Sequence, residues 1–513
     1  MTALPLTTAP LVHAAVQRAA RHLAAQVGTD GMLNAPCESR ALESALAFRL
    51  LERQRVLPDM HTKLQAFLET VHRDTYAGTV DKLLASAALH HHAVPTSDPA
   101  DQIISHFRHF TAGRKRLLVQ AVLHALGALE AVTWPSRDLF DTTGLQLWKQ
   151  AEMTACKVIL AHALGRQEEI TDKDLECLAA TQRDGTIWQA NTLSHLLVLT
   201  ALDHLPGQHD TVRRGLAALP AIQRSDGGLS LTPDMDTTLT GMAAAALAAA
   251  ASDPLLQRHL ADRLVDLQQP AGSWTFTPQA AQTDVETTFF VLEALHLTEP
   301  ARYADSLRRG CDYLCDMQNP DGGLNNYAQG GASEASHTGQ ALTIWAAHDP
   351  HRYASHIDRA ARFVASQQEP DGSYALNWSA SDANVILRTC HGLHTALAQG
   401  CLSLSAQEAA RRAIDKSTRY LLTRQHEDGG WGQQPHHSSD PTSTAYALTT
   451  LTIVRPATQA TARAAHYLCR TQRRDGGFHA PPDTYSPRPL VIDIKALPTI
   501  YALRALALTL HAP

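Results

Sequence analysis

Apolar residues recur at helical spacing along almost the whole chain. The segments 41–53, 117–131, 191–203 and 444–453 each place apolar side chains at positions i, i+3, i+4 and i+7, which is the pattern of a helix with one buried face. Runs in which apolar and polar residues alternate, as in a half-buried strand, are scarce. The pattern therefore predicts an all-α protein.

Glycine-containing turns punctuate these helices at regular intervals. Each turn begins with a glutamine and closes on an apolar or aromatic residue. The turns are Gln182–Trp188, Gln223–Leu229, Gln269–Trp274, Gln318–Leu324, Gln368–Tyr374, Gln425–Trp431 and Gln472–Phe478. Glycine tolerates the positive φ that ends a helix and turns the chain. A repeat of roughly 40 to 57 residues is typical of stacked helical arrays, so the turns predict helical units that share one core.

Composition and charge exclude several classes of protein. Of the 513 residues, 44% are hydrophobic and 18% are charged, and the formal net charge is −6. A mildly acidic chain is a poor candidate for nucleic-acid binding. The eight cysteines form no Cys-x-x-Cys pair, so reduced thiols are expected. Cys311 and Cys315 lie one helical turn apart and are expected in the core rather than at a metal.

The sequence shows no targeting or membrane-spanning segment. The N-terminus lacks a basic region followed by an apolar run, and the apolar run Met242–Ala251 is too short to cross a bilayer. These features predict a cytoplasmic protein. The histidines His90, His91 and His92, which precede Pro95, are interpreted as part of a solvated loop.

Two acidic motifs each open an apolar helix a few residues after a glycine turn. The first is DMDTT at 234–238 and the second is DVETT at 284–288. Two acids followed by threonines suit a helix N-cap, where negative charge meets the positive end of the helix. They also suit acid catalysis, because burial in apolar surroundings keeps a carboxyl protonated. The residues alone leave both interpretations open.

The glutamine–glycine–aromatic turns resemble the QW motifs of the squalene–hopene cyclase and class II terpene cyclase superfamily, over most of residues 170–513. In that family the middle aspartate of a D-x-D-D motif protonates an alkene, and the substrate then folds into fused rings through carbocations. The resemblance implies two α-barrels of the β,γ arrangement. An N-terminal helix at 1–20 is expected to pack on the second barrel, with a γ-like barrel at 21–218 and a β-like barrel carrying the acid motif at 219–513.

The count of turns places the family's acid motif within this chain. Four turns follow the motif in the family, and four follow residues 284–288 here. The resemblance therefore implies Glu286 as the proton donor and Asp284 as its partner, with Asp236 as a second candidate at the pocket. Glu286 departs from the family by replacing the middle aspartate, and Thr287 by replacing the final one. A short bacterial branch that makes bicyclic diphosphates is similar in using D-x-D-T-T.

Aromatic faces stabilise carbocations, and several residues near the turns are candidates for the pocket lining. They are Trp274, Phe276, Phe289, Gln340 and Trp378. The aromatic ones are equally explained as core residues that staple one repeat to the next. Gln340 stands near the position where relatives place a His or Asn behind the acid, and it is equally explained as a helix-surface amide. With only 7 Trp, 11 Tyr and 10 Phe, the chain suits a C15 or C20 substrate better than a C30 one.

Substrates of that length carry a diphosphate. The sequence contains no Asp-Asp dipeptide, so the class I D-D-x-x-D ionisation motif is absent and the diphosphate is expected to survive. The resemblance implies Mg²⁺ and basic residues that hold the diphosphate at the interface of the two barrels. Candidates are Arg114, Lys115 and Arg116, followed by Lys149 and Lys157. The cluster at 114–116 is equally explained as a solvated face, and the sequence does not identify Mg²⁺ ligands.

The resemblance thus predicts a class II terpene cyclase that converts farnesyl or geranylgeranyl diphosphate to a bicyclic drimenyl- or copalyl-type diphosphate. Two alternatives stay open. A protein-prenyltransferase-like zinc enzyme has similar repeats, but it needs converging Asp, Cys and His ligands, and the chain has no Asp-x-Cys pattern. A non-catalytic helical scaffold that binds a lipid or protein would need no acid, although a carboxyl in an apolar cavity costs stability without a functional return.

Overall fold

The chain divides into two compact units. The computed structural model describes residues 9–75, 78–90, 111–129, 131–376, 378–486 and 490–511, without the side chain of residue 90. His91 and His92, predicted to lie in a loop, fall outside these ranges. One unit, the barrel unit, comprises Met1–Pro36, Met235–Tyr485 and Asp493–Pro513, and it begins with helix α1 (Ala9–Ala24). The other, the inserted unit, comprises Cys37–Asp234 and Ser486–Ile492.

These boundaries correct the predicted ones at 20 and 218. The turn that ends at Leu229 belongs to the inserted unit. The Leu229 N–H donates to the Ser44 hydroxyl (2.9 Å), and the Leu229 carbonyl accepts from the Arg40 N–H (2.8 Å). Residues 21–36 instead belong to the barrel unit, where the Leu33 N–H donates to the Thr240 hydroxyl (2.9 Å). The glycine turn therefore looked like the start of the second domain but closes the first.

The inserted unit is a bundle of helices. Its α-helices are α2 (Ala41–Gln54), α3 (Pro58–Arg73), α4 (Thr79–His90), α5 (Ala112–Ala125), α6 (Leu147–Ala163), α7 (Asp172–Ala180), α8 (Thr192–Asp203) and α9 (His209–Leu216). Its 3₁₀ helices are Arg137–Phe140, Gln167–Glu169, Trp188–Ala190 and Leu219–Ile222, and a two-residue strand lies at Val491–Ile492. α8 packs between α2 and α6.

The barrel unit is a double ring of helices. The inner ring consists of α10 (Asp236–Ala249), α12 (Val285–Thr298), α14 (Ala335–His348), α16 (Asp382–Ala398), α18 (Pro441–Val454) and α20 (Leu497–His511). The outer ring consists of α11 (Pro254–Asp266), α13 (Ala304–Asp316), α15 (Ala354–Ser366), α17 (Leu404–Thr423), α19 (Gln459–Thr471) and α1. Each inner helix packs against the next, and α20 packs against α10, so the inner ring is closed.

Burial along the helices explains the two rings. In α12 every residue from Thr287 to Leu295 is buried, as expected of a helix covered on both sides. In the outer helix α13 only one stripe is buried, and it includes Cys311, which confirms that this cysteine is a core residue. Strands in the described residues are two residues long, at Trp274–Thr275, Thr283–Asp284 and Thr484–Tyr485 besides the one above. The all-α prediction is confirmed.

In six of the seven turns a glutamine bridges two repeats. The Gln318 amide donates to the carbonyl of Gly322 in its own turn (2.9 Å) and to that of His356 on the next outer helix (3.0 Å). The same pair of hydrogen bonds, each within one unit, is made by Gln223, Gln268, Gln368, Gln425 and Gln472. The turns thus hold successive helix pairs together, as their spacing predicted.

The turn glycine is required by close approach as well as by conformation. Gly272 has φ +92°, and a Cβ there would lie 2.4 Å from the Arg309 carbonyl on the next outer helix. Gly476 has φ +90°, and its Cβ would lie 2.5 Å from the Arg18 carbonyl on α1. α1 therefore serves as the last outer helix and packs on α19 and α20.

Two details of the predicted turns are wrong. In the third turn the bridging side chain belongs to Gln268 rather than Gln269, whose amide donates to the Leu267 carbonyl instead. In the first turn the Gln182 amide donates to the Thr181 hydroxyl (2.9 Å), and a Cβ on Gly185 would meet no atom within 4 Å. The first turn is thus not a bridge of the same kind.

No described helix is both long and apolar enough to cross a bilayer.

Candidate functional site

The structure brings the two acidic motifs together at the start of two neighbouring inner helices. The hydroxyls of Thr238 and Thr287, one from each motif, lie 2.7 Å apart. The Thr238 N–H also donates to the Phe276 carbonyl (3.4 Å) in the turn before α12. Asp236, the second-rank acid candidate, is the first residue of α10 and is half-buried. Both motifs therefore contribute to one region of the barrel unit.

Asp284 is the N-cap of α12 and is sealed from solvent. Its Oδ1 accepts from the Thr287 N–H (2.6 Å), and the whole residue is only 3% exposed. Its buried Oδ2 has no hydrogen-bond partner among the described residues. Burial raises the pKa of Asp284 to about 7, the Thr287 N–H opposes this rise, and the nearby Glu286 adds to it. A neutral, protonated carboxyl therefore fits this position near neutral pH.

Thr288, the last residue of the motif, has an architectural role. Its hydroxyl accepts from the Trp274 N–H (3.1 Å). The same bond recurs in three other repeats, between Leu324 and Thr338, Trp431 and Thr444, and Phe478 and Thr499. A contact found in four repeats serves the fold, so the chemistry must lie in residues that differ between repeats.

Glu286 is such a residue. It is the second residue of α12, where α14 has Ser336 and α18 has Thr442. Its N–H donates to Oδ1 of Asn326 (2.9 Å), which fixes the start of the helix, and its side chain is 21% exposed. Its Oε1 lies 2.6 Å from the Arg388 guanidinium. The expectation of purely apolar surroundings for this carboxyl is thus wrong.

Arg388 projects from α16 and is held by several partners. Its guanidinium donates to Oε1 of Gln340 (3.3 Å) and lies 5.7 Å from the centre of the Phe290 ring, a cation–π distance. Burial alone would lower the pKa of Arg388, but Glu286, Tyr501 and Tyr446 raise it above its usual range. Arg388 is therefore a permanent cation beside the Glu286 carboxyl.

Gln340 acts behind Arg388 rather than on a pocket wall. The residue is 1% exposed, and its Oε1 also lies 3.3 Å from Nδ1 of His337. An amide with almost no accessible surface cannot touch a substrate unless the surroundings move. The structure therefore places Gln340 as a support for Arg388, which corrects its predicted place in the lining.

The predicted aromatic lining divides into core and half-buried residues. Trp274 is 0% exposed, and its indole N–H donates to the Leu264 carbonyl on the outer helix (2.6 Å). It therefore staples two helix layers together and does not face a pocket, which corrects its predicted role. Phe289 is 5% exposed and packs at 5.3 Å from Phe290. Phe276 and Trp378 are half-buried.

A second polar layer lies deeper along the same inner helices. Glu293 on α12 forms a two-fold ion pair with Arg504 on α20, with both contacts at 2.5 Å. Burial alone would raise the pKa of Glu293, but Arg504 outweighs burial and holds that pKa below its usual value. Both members of this pair act electrostatically on His391 of α16. Sequence reasoning missed Arg388, Glu293 and Arg504, although a single charge within an apolar inner-helix run was a readable signal.

The predicted diphosphate-binding residues are engaged within the inserted unit. The Arg114 guanidinium donates to the carbonyls of Asp138, Leu139 and Asp141. Lys115 is buried and Arg116 half-buried. Lys149 pairs with Glu152, and Lys157 lies 2.7 Å from Asp174. These contacts give Arg114, Lys149 and Lys157 structural roles, and the assignment of the cluster to a diphosphate stays a prediction.

The described residues offer no protein-made metal cage. Within them no group of three or more His, Cys, Asp or Glu side chains is placed to hold a metal ion. Mg²⁺ usually keeps several waters and binds through one or two carboxylates plus substrate phosphates. A site of that kind needs no group of three ligands, so Mg²⁺ stays a prediction from the resemblance.

Comparison with known proteins gives consistent matches. A model of the squalene-hopene cyclase C-terminal domain matches residues 331–510, and a model of the prenyltransferase alpha-alpha toroid domain matches residues 174–374. The drimenyl diphosphate synthase of Streptantibioticus cattleyicolor is 36% identical over 98% of this chain and 96% of its own length. That of Streptomyces showdoensis is 36% identical over 96% and 93%. The structure of ent-copalyl diphosphate synthase from Streptomyces platensis shares the fold, with TM-score 0.61, 18% identity, and coverage of 97% of this chain and 99% of that one.

Proposed function

Because the chain belongs to the drimenyl diphosphate synthase family of class II terpene cyclases, we propose that it cyclises farnesyl diphosphate to a drimenyl-type bicyclic diphosphate. The observation that carries this proposal is the carboxyl pair at the start of α12. Glu286 keeps accessible surface beside Arg388, and the buried Asp284 next to it has a pKa raised to about 7 by its burial. The full-length identity to diphosphate synthases leaves the scaffold and zinc-enzyme alternatives without support.

Glu286 is the group that delivers the proton in this proposal. Asp284 is sealed by packing and cannot reach a substrate, whereas Glu286 is 21% exposed. Burial raises the pKa of Asp284 to about 7, so the protonated Asp284 is a local store of the proton. Glu286 gives its proton to one carbon of the terminal double bond. The π electrons of that double bond form the new C–H bond, and the positive charge is left on the other carbon.

Arg388 assists this transfer electrostatically. A double bond is a weak base, so the donor must leave behind a well-stabilised carboxylate. The Arg388 guanidinium, fixed 2.6 Å from Oε1 of Glu286, supplies that stabilisation without having to move. Ring closure then follows as the remaining double bonds attack successive cations. No step breaks the bond to the diphosphate, in keeping with the absence of an Asp-Asp dipeptide.

Product analysis tests the proposal. The purified protein is incubated with farnesyl or geranylgeranyl diphosphate and Mg²⁺, the products are dephosphorylated, and the alcohols are identified by gas chromatography with mass spectrometry. We expect a bicyclic C15 alcohol from farnesyl diphosphate. A bicyclic C20 alcohol alone would correct the chain length, and unchanged linear alcohols from both substrates would refute the cyclase function.

Variants then test the assignment of the acid. We expect Glu286→Gln to abolish turnover, because the amide has no acidic proton to give, while the fold is kept. Asp440→Asn is the matched control, since it neutralises a carboxyl at the start of another inner helix. If Asp236→Asn abolishes turnover and Glu286→Gln does not, the proton donor belongs to the first acidic motif.

A further inference from the structure

Three inner helices carry polar residues at two successive depths of the barrel unit. α12 has Glu286 and, seven residues on, Glu293. α16 has Arg388 and, three residues on, His391, while α20 has Arg504 three residues beyond Tyr501. Residues three and seven apart lie on one face of a helix. The Glu286–Arg388 pair and the Glu293–Arg504 pair are therefore two layers of one inward-facing surface.

His391 is the member of the deeper layer that is open to reaction. It is half-buried and lies three residues from the half-buried Arg388, on the same face of α16. Its ring makes no hydrogen bond to a described residue. A half-buried imidazole without a hydrogen-bond partner keeps a ring nitrogen available to accept a proton.

The charges around His391 keep its ring neutral. Burial, Arg504 and His394 together lower the pKa of His391 to about 4, against the opposing effect of Glu293. A neutral imidazole is a proton acceptor. The Glu293 carboxylate nearby provides a counter-charge once the ring has gained a proton.

We propose that His391 is the base that ends the cyclisation, an inference that rests on the proposed function. The last bicyclic cation loses a proton from a carbon next to the positive centre. An imidazole nitrogen of His391 forms the new N–H bond, and the electrons of the broken C–H bond become the exocyclic or ring double bond. The product is an isomer of the substrate, so no water or other reactant is consumed.

The spacing of the two layers suits this role. Three residues along α16 separate His391 from Arg388, an axial distance of about 4.5 Å. The first and last cationic carbons of a bicyclic intermediate lie at opposite sides of two fused six-membered rings, a separation of similar size. An intermediate whose first cation forms beside Glu286 therefore extends toward the His391 ring, where its last cation forms.

Two replacements of His391 test the inference in D₂O. His391→Asn keeps a polar group without a base, and His391→Phe keeps a flat ring without a base. His348→Asn is the matched control, because His348 is a half-buried histidine of another inner helix whose pKa is also lowered by burial. The readouts are the product profile, the deuterium content and the unfolding midpoint of each protein.

We expect wild type and His348→Asn to give one bicyclic alkene that carries one deuterium from the acid step. Both His391 variants should form that alkene about 100-fold more slowly, the usual effect of losing a general base. They should divert substrate to hydroxylated or monocyclic products that still carry one deuterium. Folded variants that make the wild-type alkene at an unchanged rate would overturn the proposal.

Folded variants that consume no substrate would overturn it equally, because His391 would then act before ring formation. The two replacements are used together so that misfolding of one still leaves a measurement from the other. If wild type itself leaves farnesyl and geranylgeranyl diphosphate unchanged, the proposed function has failed rather than the assignment of the base.

Discussion

Asp284 and Asp440 hold the same position in two repeats of the barrel unit. Each caps an inner helix through Oδ1, which accepts the N–H of the residue three positions on, at 2.6 and 2.8 Å. Each buries its Oδ2 without a hydrogen-bond partner in the described part of the chain. Burial raises the pKa of Asp284 to about 7 and that of Asp440 to about 6. Glu286 stands two residues after Asp284, and a threonine stands two residues after Asp440. A comparison of the two aspartates therefore distinguishes the capping role from the proposed catalytic role.

We predict that Asp284→Asn stabilises the protein at pH 8 and leaves it unchanged at pH 4. The folded state holds the Asp284 proton up to about pH 7, whereas the unfolded chain releases it near pH 4. Folding therefore becomes less favourable as the pH rises between these values, by roughly 4 kcal/mol in all. Denaturant unfolding at both pH values measures the difference. Asp440→Asn should show the same sign with a smaller gain, and equal stability changes at pH 4 and pH 8 would contradict the raised pKa values.

We predict that cyclisation falls as the pH rises through about 7. Asp284 must hold the proton that it supplies to Glu286, and burial raises the pKa of Asp284 to about 7. The measurement is kcat/KM between pH 5.5 and 9, with product identity checked at each point. Asp440→Asn should leave this profile in place, because that carboxyl has no part in the proton transfer. A profile without an alkaline decline would separate Asp284 from catalysis.

Arg388→Gln should abolish cyclisation and destabilise the fold. The change leaves the Glu286 carboxylate without its cation, and breaking a largely buried pair from one side costs about 3 kcal/mol or more. The double variant Glu286→Gln/Arg388→Gln should lose about 1 to 3 kcal/mol less than the sum of the single variants. Urea unfolding of the four proteins gives this coupling energy. A coupling energy near zero would show that the 2.6 Å contact has no energetic weight.

Trp274→Ala should reduce stability by about 3 to 5 kcal/mol, the usual cost of emptying a large core site. The reason is that Trp274 is fully buried and bonded to the outer helix through Leu264. Material that remains folded should give the wild-type product, and gas chromatography with mass spectrometry checks this. A changed product from a variant of unchanged stability would return Trp274 to the pocket lining.

The repeat pattern of the sequence predicted most of the helix pairs of the barrel unit. A glutamine and a glycine at fixed spacing have one physical use, which is to bridge a turn to the next outer helix, as Gln318 does. The same logic failed at Gln182, where the letters fit but no neighbouring helix lies against Gly185. A local pattern indicates which hydrogen bonds a turn can make. Whether a neighbouring helix is present to accept them depends on the tertiary packing.

The candidate site was readable in part. Counting turns assigns the acid motif to residues 284–288, because the repeats fix its register, and this assignment stays a prediction. Arg388 lies more than 100 positions further on and meets Glu286 only through the closure of the inner ring. Trp274 could not be sorted from the lining residues by sequence, since core and pocket both select aromatic side chains. The direction in which a side chain points is set by tertiary packing.

The ring of the barrel unit is completed by α1, whose Arg18 and Ala15 carbonyls lie against the turn that begins at Gln472. α1 precedes the inserted unit in the chain, whereas α19 and α20 follow it. The Gln472–Ala15 bond joins residues 457 positions apart, so the outer ring stays open until the turn at Gln472 has been synthesised, while residues 37–234 have an earlier opportunity to fold. Until then the apolar stripe of α1, which includes Val12, Val16 and Leu23, lacks the surface that it covers in the folded protein.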